Sequence, residues 1–235
     1  MSRILCLDAS TEACSVALLN QGEVTEVYQL APRQHANLLL PSVDQLLADS
    51  QIKLNQLDAI ACLVGPGAFT GIRIAVSVAQ GLAYGANLPT IPVSSLSNLA
   101  QQAFNETANA YCWSAIDARM DEVYFGCFSK NADGIAEPMM EENVIAPQKI
   151  AFESLYADAD DRGISLIGSG WAAYQNIFTQ RGIAWDHLLS DRFPKASASL
   201  RDAARRFAEG KGVSPEKLQP VYLRNKVAEK KAGKN

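Results

Sequence analysis

Val64-Gly65-Pro66-Gly67-Ala68-Phe69-Thr70-Gly71-Ile72-Arg73-Ile74-Ala75-Val76-Ser77-Val78-Ala79-Gln80-Gly81-Leu82-Ala83 is the stretch around which the chain is organised. An apolar run, Ala59 to Val64, enters a loop of glycines and a proline. After Gly71 the spacing turns helical, with Ile72, Val76, Ala79 and Ala83 recurring at three and four residues. Glycine permits positive φ and Pro66 removes one donor while fixing φ, so the turn is tight. Thr70 stands where an N-cap hydroxyl would cover an orphan amide. A glycine loop opening a helix suits an anion as well as a packed strand–turn–helix corner, and both readings stay open. The helix itself is small and apolar almost all round. It is therefore expected to be buried on every side, with another protein as the cover.

Outward from this stretch, the 235-residue chain has room for two small domains, and its 48% hydrophobic content is that of a globular protein. A net charge of −4 argues against general affinity for nucleic acid. Met1-Ser2-Arg3 passes directly into a strand with no leader. The five cysteines lack CxxC spacing and sit in strand-like runs, so reduced, buried thiols and a cytoplasmic location are expected, with no membrane association.

Upstream, Ile4 to Leu7 is a strand ending at Asp8, Cys14 to Leu19 a second and Val24 to Leu30 a third, joined by a turn at Gln21-Gly22. His35 to Ser50 reads as a helix with Leu39, Val43 and Leu46 on one stripe; Pro41 within it should cost about 3 kcal/mol and kink it. Downstream lie a strand from Pro89 to Val93 and a helix from Ser97 to Phe104 capped by Ser95. The pattern then restarts. Tyr111 to Ile116 is a strand ending at Asp117, with Glu122 to Phe128 as its hairpin partner. An irregular, acidic region covers 131–161, followed by a strand from Ile164 to Ile167 that ends in Gly168-Ser169-Gly170. A helix from Ala172 to Gln180, an amphipathic helix from Leu200 to Glu209 and an extended segment, Pro220 to Arg224, complete the pass.

Two halves that each open with a meander ending in Asp predict a duplicated α/β fold with a cleft between lobes. The expected lobes are 1–105, joined by the returning 198–223, and 106–197. An Asp beside Ser10 and Thr11 could hold Mg²⁺ and phosphate; equally, Asp8 and Asp117 could simply satisfy turn amides. Asp117 precedes Ala118-Arg119-Met120, which lacks the glycine and hydroxyls of a phosphate bend. The basic end, Arg224, Lys226, Lys230, Lys231 and Lys234, reads as solvated charge or as a salt-sensitive contact to nucleic acid.

Leu5 to Thr11, Gly65 to Arg73, Asp117 to Tyr124, Pro220 to Arg224 and the helix start Gln34 to Pro41 together resemble the TsaB (YeaZ) family across nearly the whole chain. The resemblance implies an actin-like ATPase (ribonuclease H-like) fold with a mixed sheet and flanking helices in each lobe. It also implies a part in making N6-threonylcarbamoyladenosine at position 37 of tRNAs that read codons beginning with A. In that family the chemistry belongs to the paralogue TsaD, which receives threonylcarbamoyl-adenylate from TsaC-type enzymes. TsaB is the non-catalytic partner of TsaD, TsaE joins the pair, and tRNA binds through the complex.

The residues agree with that division of labour. TsaD-type metal chemistry needs two histidines one helical turn apart, and here His35 is followed four positions later by Leu39. His187 has no ligand pattern around it, and no nucleophile stands beside a base. No metal and no cofactor are expected, beyond weak or vestigial ATP or ADP binding. The vestigial cleft is assigned to Asp8, Ser10, Thr11, Gly65, Gly67, Asp117, Gly168 and Gly170. The partner interface is assigned to His35, Leu39, Val43, Leu46, Ile72, Arg73, Val76, Ala79, Gln80 and Ala83, which would form a four-helix bundle with TsaD and a homodimer in isolation. The rival readings are an actin-like kinase or ATPase using Asp8, a TsaD-like peptidase with a metal at His35, and a regulatory module with other partners.

Overall fold

The structure, a computed structural model, describes residues 2–159, 162–183 and 185–224. The opening meander is Ile4–Asp8 (β1), Ala13–Asn20 (β2) and Glu23–Leu30 (β3), antiparallel throughout, with positive φ at Gln21 and Gly22. After the helix His35–Asp49 (α1), Ala59–Leu63 (β4) returns parallel to β1. Phe69–Ala86 (α2) then leads to Thr90–Val93 (β5), parallel to β4. The first sheet has the order β3-β2-β1-β4-β5.

Both faces of this sheet are covered, which is why β1 and β4 are apolar without alternation. Leu5 and Leu7 turn towards α1 and α2, while Ile4 and Cys6 turn towards Leu200–Ala208, the last helix of the chain.

Ser95–Glu106 (α3) carries the chain to a second sheet of Tyr111–Arg119 (β6), Glu122–Lys130 (β7), Ala136–Pro138 (β8), Asn143–Ile145 (β9), Ile164–Ile167 (β10) and His187–Leu189 (β11). Its order is β11-β10-β6-β7-β8, with β9 also on β7. In each sheet a first strand pairs antiparallel with its hairpin neighbour and parallel with the next crossover strand. The same five-strand plan thus occurs twice, the duplicated α/β architecture expected of an actin-like fold. Phe152–Asp158 (α4), Ser169–Ala173 (α5) and Gln175–Gln180 (α6) flank the second sheet, and Leu200–Ala208 (α7) packs on the first. No helix among the described residues is long and apolar enough to cross a membrane.

Several local expectations are corrected. α2 begins at Phe69, with Ala68 as its N-cap residue and no side-chain cap, so Thr70 lies inside the first turn. α3 begins at Ser95, and its cap is Ser94, whose Oγ accepts from Leu96 N (3.1 Å) and Ser97 N (3.2 Å). Ser94→Ala should therefore cost about 1 kcal/mol in urea unfolding. The helix expected over 172–180 is two short ones, β8, β9 and α4 occupy the region read as irregular, and β6 runs past Asp117 to Arg119. α1 is continuous through Pro41, because Leu39, Val43 and Leu46 pack into one core on either side of it and outweigh the lost hydrogen bond. α3 packs its Leu96, Leu99 and Ala103 with Cys112, Phe128 and Ile167 of the second sheet. α3 also reaches the 195–199 segment, where Asn98 Nδ2 donates to Lys195 O at 2.7 Å and to Ser199 Oγ at 2.6 Å. All five cysteines are buried. Residues 220–224 belong to no strand or helix, and the lysines at 226–234 lie outside the described residues.

Candidate functional site

The bend after β1 and the loop before α2 are packed backbone against backbone. A Cβ on Gly67 would sit 2.1 Å from Ser10 O, and one on Gly71 would sit 1.9 Å from Ala9 O. Ala68 N donates to Ser10 O at 2.7 Å. These glycines let one loop close on the other, as a packed strand–turn–helix corner requires. Gly65, at φ +111°, lies where a Cβ would meet Val221 O at 2.9 Å.

Asp8 lies wholly buried at the floor of this corner. Its Oδ1 accepts from Ser10 N at 2.9 Å, while Oδ2 and Ser10 Oγ have no hydrogen-bond partner among the described residues. Burial pushes its carboxyl up to about 7, and nearby Glu26 adds to the rise. Thr11 is buried as well, and its Oγ1 accepts from Ala13 N at 3.5 Å.

Across the cleft, both oxygens of Asp117 are engaged by its own hairpin. Arg119 N donates to Oδ1 at 2.8 Å, Arg119 Nη1 to Oδ2 at 2.8 Å, and Tyr174 OH to Oδ1 at 3.3 Å. Gly168 and Gly170 bring α5 onto β6: a Cβ on Gly168 would stand 2.4 Å from Ala115 O, and one on Gly170 would stand 2.9 Å from Ala115 Cβ. The cleft between the lobes measures about 540 Å³ and is lined by Thr11, Gly67, Phe69, Ile116, Met120 and Arg224, among others. These residues do not fit a Mg²⁺–nucleotide in the expected way. One carboxylate is sealed beneath the glycine loop and the other is neutralised by Arg119.

The helix pair beside the cleft is the second candidate, and here the assigned residues divide. Leu39, Val43, Leu46, Ile72, Val76, Ala79 and Ala83 are 0–4% exposed and form the core under the first sheet. They face the protein's own interior, which corrects their assignment to a partner. His35 is also buried, its Nε2 donating to Ala13 O at 3.1 Å, and this fixes the imidazole as a structural group. Gln80 is half-buried and donates from Nε2 to Leu218 O at 2.8 Å. Arg73 alone of the set is exposed. It lies over the Phe69 ring at 3.9 Å and donates from Nε to Tyr222 OH at 2.7 Å.

The outer face of α2 is built from other residues: Phe69, Arg73, Ser77, Gly81, Tyr84 and Gly85 are exposed, with Ile74, Val78 and Leu82 half-buried along the rim. The helix is therefore not buried on every side in this chain. A Cβ on Gly81 or Gly85 would meet nothing within 4 Å. Phe69 and Tyr84 are 52% and 80% exposed, and Leu40 of α1 is 44% exposed. The polar and aromatic residues within the small-residue helix were the signal that could have marked this outer stripe.

The family model described as TsaD, tRNA N6-adenosine threonylcarbamoyltransferase, matches residues 23–231. The tRNA threonylcarbamoyladenosine biosynthesis protein TsaB of Haemophilus influenzae is 40% identical over 97% of this chain and 96% of its own length. The chain belongs to the TsaB family. The Escherichia coli TsaB protein is 41% identical over 97% of both chains. The solved structure of YeaZ from Pseudomonas aeruginosa, 41% identical, matches with a TM-score of 0.86 over 95% of this chain and 100% of that one. The two-lobed architecture is thus shared by a TsaB-family chain and a solved YeaZ structure, and its helix pair and cleft are available for direct comparison.

Proposed function

We propose that this TsaB-family chain is a non-catalytic partner subunit in the formation of N6-threonylcarbamoyladenosine on tRNA. It pairs with TsaD through the outer face of α1 and α2, and through that pair it contributes to the surfaces that meet TsaE and tRNA in the cytoplasm. In isolation, the same face pairs with a second copy. The observation that carries this reading is the outer stripe of α2. Glycine inside a helix costs about 1 kcal/mol relative to alanine, and Gly81 serves no close approach within the chain. Small residues flanked by Ile74, Val78, Leu82 and Tyr84 suit a second helix pair that comes close. The sealed Asp8 and the structural His35 support a partner role over nucleotide turnover or metal-dependent cleavage.

Gly81→Leu tests it. The free chain should gain about 0.8 kcal/mol from helix propensity, since the added side chain enters open space. Co-purification with TsaD of the same organism should fall at least tenfold. Undiminished pairing by the variant would place the interface elsewhere. Failure of the wild-type chain to pair, together with ATP hydrolysis by the chain alone, would overturn the partner reading.

A further inference from the structure

The segment after α7 does more than end the chain. Leu218 is wholly buried in the first core, and Val221 N donates to Val64 O at 2.8 Å, just beyond the end of β4. Tyr222 packs on Phe69 with ring centroids 5.3 Å apart and accepts the hydrogen bond from Arg73. Two residues later the chain has crossed to the other lobe. Arg224 Nη2 donates to Glu122 Oε2 at 2.6 Å and to Arg119 O at 3.2 Å, while Nη1 lies 2.9 Å from Met120 Sδ.

The hairpin turn that receives Arg224 is strained. Arg119, Met120 and Asp121 take φ of 60°, 55° and 57°, in the left-handed region that Asn-Gly ordinarily fills in a two-residue hairpin turn. None of the three is glycine or asparagine. Such a conformation persists where surrounding contacts over-determine it, and the Arg224 guanidinium touches three of the turn's four residues, 119, 120 and 122. Its ion pair with Glu122 is partly shielded, with the Arg224 side chain 15% and the Glu122 side chain 36% exposed. By contrast, the other bridge across the cleft, Arg119 to Glu12 at 3.7 Å, is exposed on both sides and contributes little.

We propose that residues 218–224 are a clasp that holds the two lobes together at the mouth of the cleft, with Arg224 as the catch on the β6–β7 turn. Its anchors on the first lobe are Leu218, Val221 and Tyr222; its anchor on the second is the 119–122 turn. The clasp acts within the single chain and requires no partner on α2, so it stands or falls independently of the pairing with TsaD.

Hydrogen exchange by mass spectrometry on the full chain tests it, with Arg224→Gln against wild type. Loss of the catch should accelerate exchange at least tenfold in the 119–123 turn and in 221–224, and also in the cleft-lining Thr11–Glu12 and Gly67–Phe69 amides. Strands β1, β4 and β6 should be unchanged. Reversal of both charges, Arg224→Glu with Glu122→Arg, should restore a large part of the protection that Arg224→Gln loses, and Glu122→Gln should reproduce the loss from the second lobe's side. Acceleration confined to 221–224 would mean a fraying end and no clasp. Unchanged exchange in the turn would overturn the assignment of Arg224.

Discussion

Val76→Arg should abolish the fold of the first lobe, whereas Ser77→Arg, one position on, should leave it intact. Val76 is 3% exposed, among Leu5, Leu7, Leu39 and Cys62 in the core beneath α2. No acid belongs to that cluster. A guanidinium placed there must desolvate without a partner or force the helix off the sheet, and either outcome costs several kcal/mol. Domains of this kind are held by only about 5–15 kcal/mol, so most of the stability is forfeited. Ser77 lies on the exposed stripe, and substitution there should move stability by no more than about 0.5 kcal/mol. Circular dichroism melts and soluble yield read the difference. A Val76→Arg chain that melts like wild type would mean that the helix faces have been assigned the wrong way round. The contrast also separates two failures that a pairing assay confounds: an unfolded lobe and a blocked surface.

The same pair of residues shows where sequence reasoning stopped. Strand and helix identities were legible because β1, β4 and β6 are unbroken apolar runs and α1 repeats at helical spacing. The duplication was legible because both halves open with a hairpin whose first strand carries an Asp. The facing of α2 was not. Ile72, Val76, Ala79 and Ala83 form one apolar stripe and Ile74, Val78 and Leu82 another, so periodicity alone does not choose between them. The choice is made by the sheet, which takes the stripe that lets Gly71 approach Ala9 O. The glycine loop was recognised as decisive, yet its purpose, closing onto the 8–11 bend, depends on a neighbour more than fifty residues earlier in the chain. Arg224 was read as part of a solvated basic end because its partner, Glu122, lies about a hundred residues away. Contacts of that range leave no periodic trace.

Together these placements distinguish two surfaces of the chain, the cleft and the outer face of α2. Much of the cleft side is met from within the chain, with glycine against backbone, Asp117 against Arg119 and residues 221–224 beside the mouth, while Asp8 Oδ2 and Ser10 Oγ are left without a hydrogen-bond partner among the described residues. The α2 side is left with glycines that touch nothing. Phe69, Arg73, Ser77 and Tyr84 of α2 are left exposed on its outer face.

Asp8→Asn should make the chain more stable at pH 8 and remove much of its loss of stability between pH 5 and 8. Asp8 is fully buried, and no cation among the described residues offsets its burial. The titratable groups that face it are Glu26 and Tyr28 on β3, Cys14 on β2, Cys62 on β4 and Cys6 on its own strand, and none is a cation. Desolvation lifts its carboxyl from 3.8 to about 7, against the partial opposition of the Ser10 hydroxyl and amide. Between these two values the native chain holds a proton that the unfolded chain has released. Bound protons then favour the native state, so its stability is greatest below about pH 4, falls as pH rises, and levels off above about 7. At 1.36 kcal/mol per pKa unit, a rise of this size amounts to about 4 kcal/mol at most. Asparagine keeps the acceptor for Ser10 N and carries no charge at any pH. Its amide N–H has no acceptor waiting at the Oδ2 position, a cost of about 1–3 kcal/mol that is the same at every pH. The slope therefore isolates the charge from the lost hydrogen bond. Urea unfolding of both chains at pH 5, 6, 7 and 8 should give curves that converge or cross at the acid end, separate in the variant's favour as pH approaches 7, and stay apart by a constant amount beyond it. Parallel curves across the range would mean that Asp8 is already ionised at pH 5, and that the floor of the cleft tolerates a bare carboxylate.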